Sequence, residues 1–176
     1  MRIRIATSLD RDDIRAVHSS AFAESERGIV SQLAVSLLAE ETIPRTISLV
    51  AETEGALVGH VAFSPVTAVN KEKFQGYILA PLGVKPDHQK LGIGSRLIGS
   101  GMQQLAGMDV DILFVYGDPK YYSRFGFSTN AAERYIPPYR LQYPFGWQGI
   151  VLNECSIGRS FIKLACVTSL CNSELW

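Results

Sequence analysis

The 176-residue chain has no excess of either charge sign, since 17 lysines and arginines balance 17 aspartates and glutamates. A nucleic-acid-binding domain ordinarily carries a basic surplus to meet phosphates, so no nucleic-acid partner is expected. No apolar run approaches the roughly 18 residues that span a bilayer, and no membrane partner is expected either. Cysteine is scarce: Cys155, Cys166 and Cys171 all lie near the end, at spacings that fit no zinc pattern. His18, His60 and His88 are scattered, so no metal site is expected. An odd cysteine count, with no apolar leader after Met1, predicts reduced thiols in a cytoplasmic protein. Those thiols read as small, buried or incidental apolar residues. Repeats, low-complexity segments and domain boundaries are also lacking, and residues 1–176 read as a single domain.

What is present is the composition of a globular core, with 47% hydrophobic and 19% charged residues. Residues 2–6 alternate as a strand does. Thr7 to Asp10 offer helix caps ahead of Ile14, Val17 and Ala21 at helical spacing. A second helix is predicted over 26–38, with Ile29, Leu33 and Leu37 four apart. Strands are predicted over 47–53 and 57–69, joined by a Glu54-Gly55 turn, with Pro65 at a bend or edge. Residues 70–75 are polar and read as a hairpin loop. A strand over 77–84 is interrupted by Pro81, and a helix follows over 92–106. The remaining expectations are a strand at 111–116, a short helix at 119–125 opened by Pro119, and a strand at 149–152. Helix pair, strand meander, then strand–helix–strand is the order of a mixed α/β domain.

The chemistry concentrates between Leu82 and Ser95. There a strand ends as Leu82-Gly83-Val84, and Lys85-Pro86-Asp87-His88 forms a loop. Gln89-Lys90-Leu91-Gly92-Ile93-Gly94-Ser95 then opens a helix. A helix start leaves backbone N–H groups unpaired at the positive end of the dipole, and glycine lets a ligand approach the main chain. Together they suit a phosphate or pyrophosphate. A Walker loop would end in Gly-Lys-Ser/Thr, which is missing here. A dinucleotide fingerprint needs a glycine at Leu97. A glycine-rich helix start with no ligand is the plain alternative.

Gln89-x-x-Gly92-x-Gly94, set after Leu82-Gly83-Val84 and a proline-containing loop, resembles the acetyl-CoA motif of the GNAT superfamily. Downstream, at the expected separation, residues 111–119 look like the next core strand. Tyr121-Tyr122-Ser123-Arg124-Phe125-Gly126-Phe127 resembles the family's Tyr-x-x-x-Gly-Phe segment. The string from Gly117 to Phe127 is similar to the YhbS-like branch of predicted bacterial N-acetyltransferases. The resemblance covers about residues 2–127 in element order. It implies a GNAT-like mixed, mostly antiparallel sheet flanked by helices and splayed at the acetyl-CoA site. The core would then span about 2–152, with a divergent tail at about 158–176.

By that resemblance Leu82, Gly83 and Val84 would meet the acyl-pantetheine arm through their main chain, as a ligand adds to a strand. The N–H groups of Lys90, Leu91, Gly92, Ile93, Gly94 and Ser95 would hold the pyrophosphate, with Gln89 opening the turn and Lys90 or Arg96 adding charge. Tyr122 matches the family tyrosine expected to protonate the departing thiolate as general acid. An oxyanion donor is expected near Leu82–Val84. Asp118 and Arg124 are read as a structural pair, or Asp118 as facing the pantetheine channel. The strand over 77–84 holds no acid, which leaves the base unassigned among Glu52, Glu54, His60 and a solvent-assisted route.

The implied reaction is transfer of an acetyl group from acetyl-CoA to a small-molecule or peptide amine, by direct attack in a ternary complex. Arg134, Tyr135, Tyr139, Arg140, Tyr143, Phe145 and Trp147 are candidate acceptor walls, or an aromatic satellite core. A homodimer is common in similar proteins. A non-catalytic acyl-CoA-binding sensor or partner module is the alternative function.

Overall fold

The computed structural model describes residues 1–69, 71–153 and 160–176, so Cys155 lies outside the described residues. The chain divides into two compact units. The first comprises Met1–Phe63 and Ala80–Met102, and the second Ser64–Leu79 and Gln103–Trp176.

In the first unit, β1 (Arg2–Ile5), β2 (Ile47–Thr53) and β3 (Ala56–Ala68) pair antiparallel in that order, and β4 (Lys71–Val84) lies next to β3. The β2–β3 turn forms where expected, with Glu54 at φ 53° and Gly55 at φ 80°. Successive positive φ values match the right-handed twist of a two-residue hairpin. α1 (Arg11–Ala21) and α2 (Glu24–Ala39) pack on each other, and Ile14, Ala34, Val35, Val50 and Leu57 form a buried cluster. α2 runs longer than the spacing predicted, from Glu24 rather than 26.

The entry to α1 is held by charge. The Thr7 N–H and hydroxyl both donate to the Asp10 carboxylate, at 2.7 and 3.1 Å. Arg4 grips Asp10 through two 2.7 Å bonds and reaches Glu52 at 2.6 Å. Bidentate geometry of this kind is the strong form of the ion pair. The Arg4 guanidinium holds the Asp10 carboxyl well below the usual carboxylate range, against the opposing effect of burial.

In the second unit, β4 pairs parallel with β5 (Ile112–Tyr116), and β5 pairs antiparallel with β7 (Trp147–Val151). β8 (Ile162–Cys166) pairs antiparallel with β3 from Val66 to Ala68 and parallel with β6 (Tyr135–Ile136). Within β3, Pro65 falls between Phe63, the last residue paired with β2, and Val66, the first paired with β8. Its missing N–H is tolerated where a strand changes partner. The result is a mixed α/β protein with a mostly antiparallel sheet and helices, as the resemblance implies.

One expectation is corrected, and the tail adds elements that were not read. The polar stretch read as a loop over 70–75 is the start of β4, described from Lys71 (Asn70 lies outside the described residues). Main-chain pairing overrides polar composition there. Gln75 and Asp111 exchange bonds, with the Asp111 N–H donating to the Gln75 carbonyl and the Gln75 N–H to the Asp111 carboxylate. The tail adds β8 and two short 3-10 turns, Thr168–Leu170 and Ser173–Leu175, which the sequence reading did not foresee.

Candidate cofactor site

The strand end, the turn and the helix start all belong to the first unit. β4 runs through Pro81 to Val84, with Gly83 buried and Leu82 and Val84 half-buried. The Lys85 N–H still donates to the Val58 carbonyl, so β3 holds this end of β4 in place. The β4–β5 ladder runs from Gly76 opposite Ile112 to Leu79 opposite Val115, and Ala80–Val84 lies beyond its last paired residue. An extended segment past its ladder can accept a ligand amide chain in place of a neighbouring strand.

The turn is built by local backbone geometry. Pro86–His88 forms a 3-10 turn, then Lys90 (φ 60°) and Gly92 (φ 77°) take left-handed conformations. Gly92 does so without penalty, whereas Lys90 bears the steric cost of its Cβ. Gln89 folds back, its side-chain amide donating to the Val84 carbonyl at 3.0 Å. It therefore braces the loop on the strand. α3 (Ile93–Ala106) begins immediately afterwards. The Arg96 N–H donates to the Gly92 carbonyl, so the N–H groups of Ile93, Gly94 and Ser95 stand ahead of the first intrahelical bond. Lys90, Leu91, Gly92 and Arg96 are exposed, which leaves the mouth of the turn open to an anion. Ile93 and Leu97 anchor the helix on Gly59, where an added Cβ would lie 3.1 Å from each. Gly101 is closer still, with an added Cβ 2.1 Å from the buried Phe63 ring. Small residues thus seat α3 and fix where its N-terminus points.

Behind the strand lies a buried polar chain, of which sequence reasoning named His60 and missed His18 and Ser48. His18 Nε2 and His60 Nδ1 are 2.7 Å apart, and His60 Nε2 and Ser48 Oγ are 2.8 Å apart. Both imidazoles are 0% exposed. His18 Nδ1 has no hydrogen-bond partner among the described residues. It faces Gly83, where an added Cβ would come within 2.7 Å of it. Burial lowers His18 to about 4, and it lowers His60 well below the usual histidine value. One signal was available: His18 follows Ile14 by four residues on the same helix face.

Of the other base candidates, Glu52 is bound to Arg4, and Glu54 is an exposed turn residue.

Tyr122 belongs to the second unit. It ends α4 (Pro119–Tyr122), whose first turn Asp118 caps by accepting from the Lys120 N–H at 2.9 Å. The Asp118–Arg124 pair is not formed. Asp118 is a helix cap, and Arg124 donates to the Tyr121 carbonyl and covers the Tyr121 ring at 4.6 Å. The Tyr122 ring packs on Gly117, where a Cβ would lie 2.6 Å from it, and meets Tyr121 and Phe127 edge-on. Burial and the neighbouring Tyr121 push its phenol above the ordinary value of 10. It therefore keeps its proton throughout the neutral range.

The aromatic wall divides. Tyr135 and Trp147 are core residues around Phe114, with ring centroids 4.9 and 5.0 Å from it. Tyr143 and Phe145 are exposed, while Tyr139 and Arg140 line an open groove of about 1020 Å³ in the second unit. Cys166 is half-buried and Cys171 is exposed, so of the two alternatives, buried or incidental, Cys171 does not meet the first. Among the described residues no three histidine, cysteine or carboxylate side chains converge as metal ligands, and no helix is long and apolar enough to cross a membrane.

Comparison with known proteins gives the family. Residues 2–129 match the acetyltransferase (GNAT) domain. The uncharacterized N-acetyltransferase YjhQ of Escherichia coli K12 is 38% identical over 143 residues, covering 77% of this chain and 74% of that protein. A GNAT family acetyltransferase from Brucella melitensis, solved in complex with acetyl-CoA, superposes with a TM-score of 0.74 at 30% identity, over 96% of each chain. The GNAT family N-acetyltransferase YhbS from Escherichia coli, solved with CoA, gives a TM-score of 0.77 at 25% identity over 96% of this chain and 90% of that one.

Proposed function

Because this chain belongs to the acetyltransferase (GNAT) family, we propose that it transfers an acetyl group from acetyl-CoA to a primary amine, by direct attack in a ternary complex. One observation carries the reading: an extended strand end, Leu82-Gly83-Val84, is followed by the left-handed turn at Lys90 and Gly92 and by the unpaired start of α3. The strand offers its main chain to the amides of a pantetheine arm. The helix start offers N–H groups and a positive dipole end to a pyrophosphate. Lys90 and Arg96 add charge at the exposed mouth.

Tyr122 is assigned the general-acid role on its place in the Tyr-x-x-x-Gly-Phe segment. A phenol that stays protonated at neutral pH is in the form needed to donate to a departing thiolate. Its raised pKa makes the transfer less favourable than from an ordinary tyrosine. The acceptor is a small-molecule or peptide amine. A thiol-release assay with acetyl-CoA and a panel of amines tests the reading. Amine-dependent CoA release supports it, and acetyl-CoA binding without release over the whole panel refutes the enzyme in favour of an acyl-CoA sensor.

A further inference from the structure

We propose that His18 is the proton acceptor of this transfer, with His60 and Ser48 as positioning residues that hold its tautomer and share the charge it gains. The inference rests on the acetyl-transfer reading, because it uses Gly83 as part of the strand that receives the acyl arm.

The chain of contacts permits two proton arrangements for neutral imidazoles. In one, the Ser48 hydroxyl donates to His60 Nε2 and His60 Nδ1–H donates to His18 Nε2. His18 then carries its proton on Nδ1, as a buried donor with nothing to receive it. In the other, His18 Nε2–H donates to His60 Nδ1, and His60 Nε2–H donates to Ser48 Oγ. His18 Nδ1 then presents a lone pair against Gly83. Each arrangement leaves one donor unreceived, the fixed Nδ1–H of His18 in the first and the Ser48 hydroxyl in the second; the hydroxyl can rotate and the buried ring N–H cannot, so the second is favoured. It leaves a buried base packed directly on Gly83, in the space that a side chain there would fill.

The step balances as follows. The amine nitrogen forms a bond to the carbonyl carbon, and the thioester C–S bond breaks with its electron pair going to sulfur. The proton lost by nitrogen goes to His18 Nδ1. As His18 Nε2 passes its own proton to His60 Nδ1, the charge moves to His60. The charged group that acts on this pair is Asp10, before α1, which is itself bound to Arg4 of β1, and Arg4 in turn to Glu52 of β2. Burial and a charged His18 oppose charge on His60, and the Asp10 carboxylate favours it, so the pair carries one proton at a time. His18 Nδ1 is fully buried against Gly83, so both the uptake of the proton and its return to solvent after product release require this end of β4 to part from α1. A base lowered to about 4 is too weak to deprotonate a resting ammonium, so it acts as the N–C bond forms and the nitrogen becomes acidic.

The test combines kinetics with spectroscopy. In His18→Gln, acetyl-CoA affinity by calorimetry should be unchanged while kcat falls about 10²-fold or more. With the base gone, its kcat should rise with pH more steeply than the wild type's. In wild-type protein labelled with ¹⁵N-histidine, His18 Nδ1 should show the shift of an unprotonated nitrogen, and that shift should move when acetyl-CoA is added. A His18→Gln variant that keeps the wild-type kcat and pH profile overturns the relay alone. A proton on Nδ1 in the wild-type spectrum overturns it even if the variant fails to fold. A wild-type protein that acetylates no amine overturns the enzyme reading, and the relay with it.

Discussion

Two neutral imidazoles sealed between α1 and the strands make the fold sensitive to mild acid. In the unfolded chain His18 takes a proton as pH falls through about 6.5, but in the fold it refuses one until about 4. Over that window the unfolded state binds more protons, so stability falls as pH falls. The gap of about 2.5 units corresponds to roughly 3–4 kcal/mol for His18, at about 1.4 kcal/mol per unit. His60 acts in the same direction, so the two together can give a slope of up to about 2.7 kcal/mol per pH unit. Urea unfolding monitored by tryptophan fluorescence at several pH values between about 7.5 and 4.5 measures it. This loss begins well above the carboxylate range, where the Arg4–Asp10 pair still holds. A stability flat from about pH 7 to 5 would refute the burial argument. A His18→Gln/His60→Gln double variant, which cannot titrate there, should lose the slope.

Three further outcomes follow from backbone positions and one from the proposed acid. Gly99 and Gly101 lie two residues apart in α3, and alanine should move them in opposite directions. Gly99→Ala meets open space and should gain about 0.5–1 kcal/mol of helix propensity, whereas Gly101→Ala drives a methyl into Phe63 and should cost about 1–3 kcal/mol net. Thermal melts of the two variants decide this, and a stabilised Gly101→Ala would contradict the packing. Gly92→Ala has room for its methyl but not the φ of 77°, so it should lose about 1 kcal/mol of stability along with acetyl-CoA affinity, read by melts and calorimetry. Tyr122→Phe should keep acetyl-CoA affinity while kcat falls about 10²-fold, as loss of a general acid predicts; an unchanged kcat would remove Tyr122 from the chemistry.

Much of the frame was legible in the residues because it is local. The Glu54-Gly55 turn, the spacing of α1 and α3, Pro119 opening α4 and the glycine turn at Gly92 are each set by a few neighbours, and each formed where read. What stayed hidden is set by contacts distant in sequence. β8 exists because Leu164 to Cys166 find β3 nearly a hundred residues earlier. Polar residues after Asn70 become strand because main-chain pairing does not depend on their side chains. His18 and His60 are 42 residues apart, and only the packing of α1 on the strands joins them into a chain ending at Gly83. Asp118 reads in the sequence as a partner of Arg124, yet its place after a strand end makes it the cap of α4, accepting from the Lys120 N–H.

The central claim is that the strand end at Leu82–Val84 and the helix start at Ile93 together hold acetyl-CoA. Calorimetric titration of acetyl-CoA into the folded protein tests it most directly. Saturable binding with one site per chain, weakened in Gly92→Ala, is the predicted result. A folded protein that gives no binding heat at several temperatures, and no shift in melting temperature with acetyl-CoA, would contradict it.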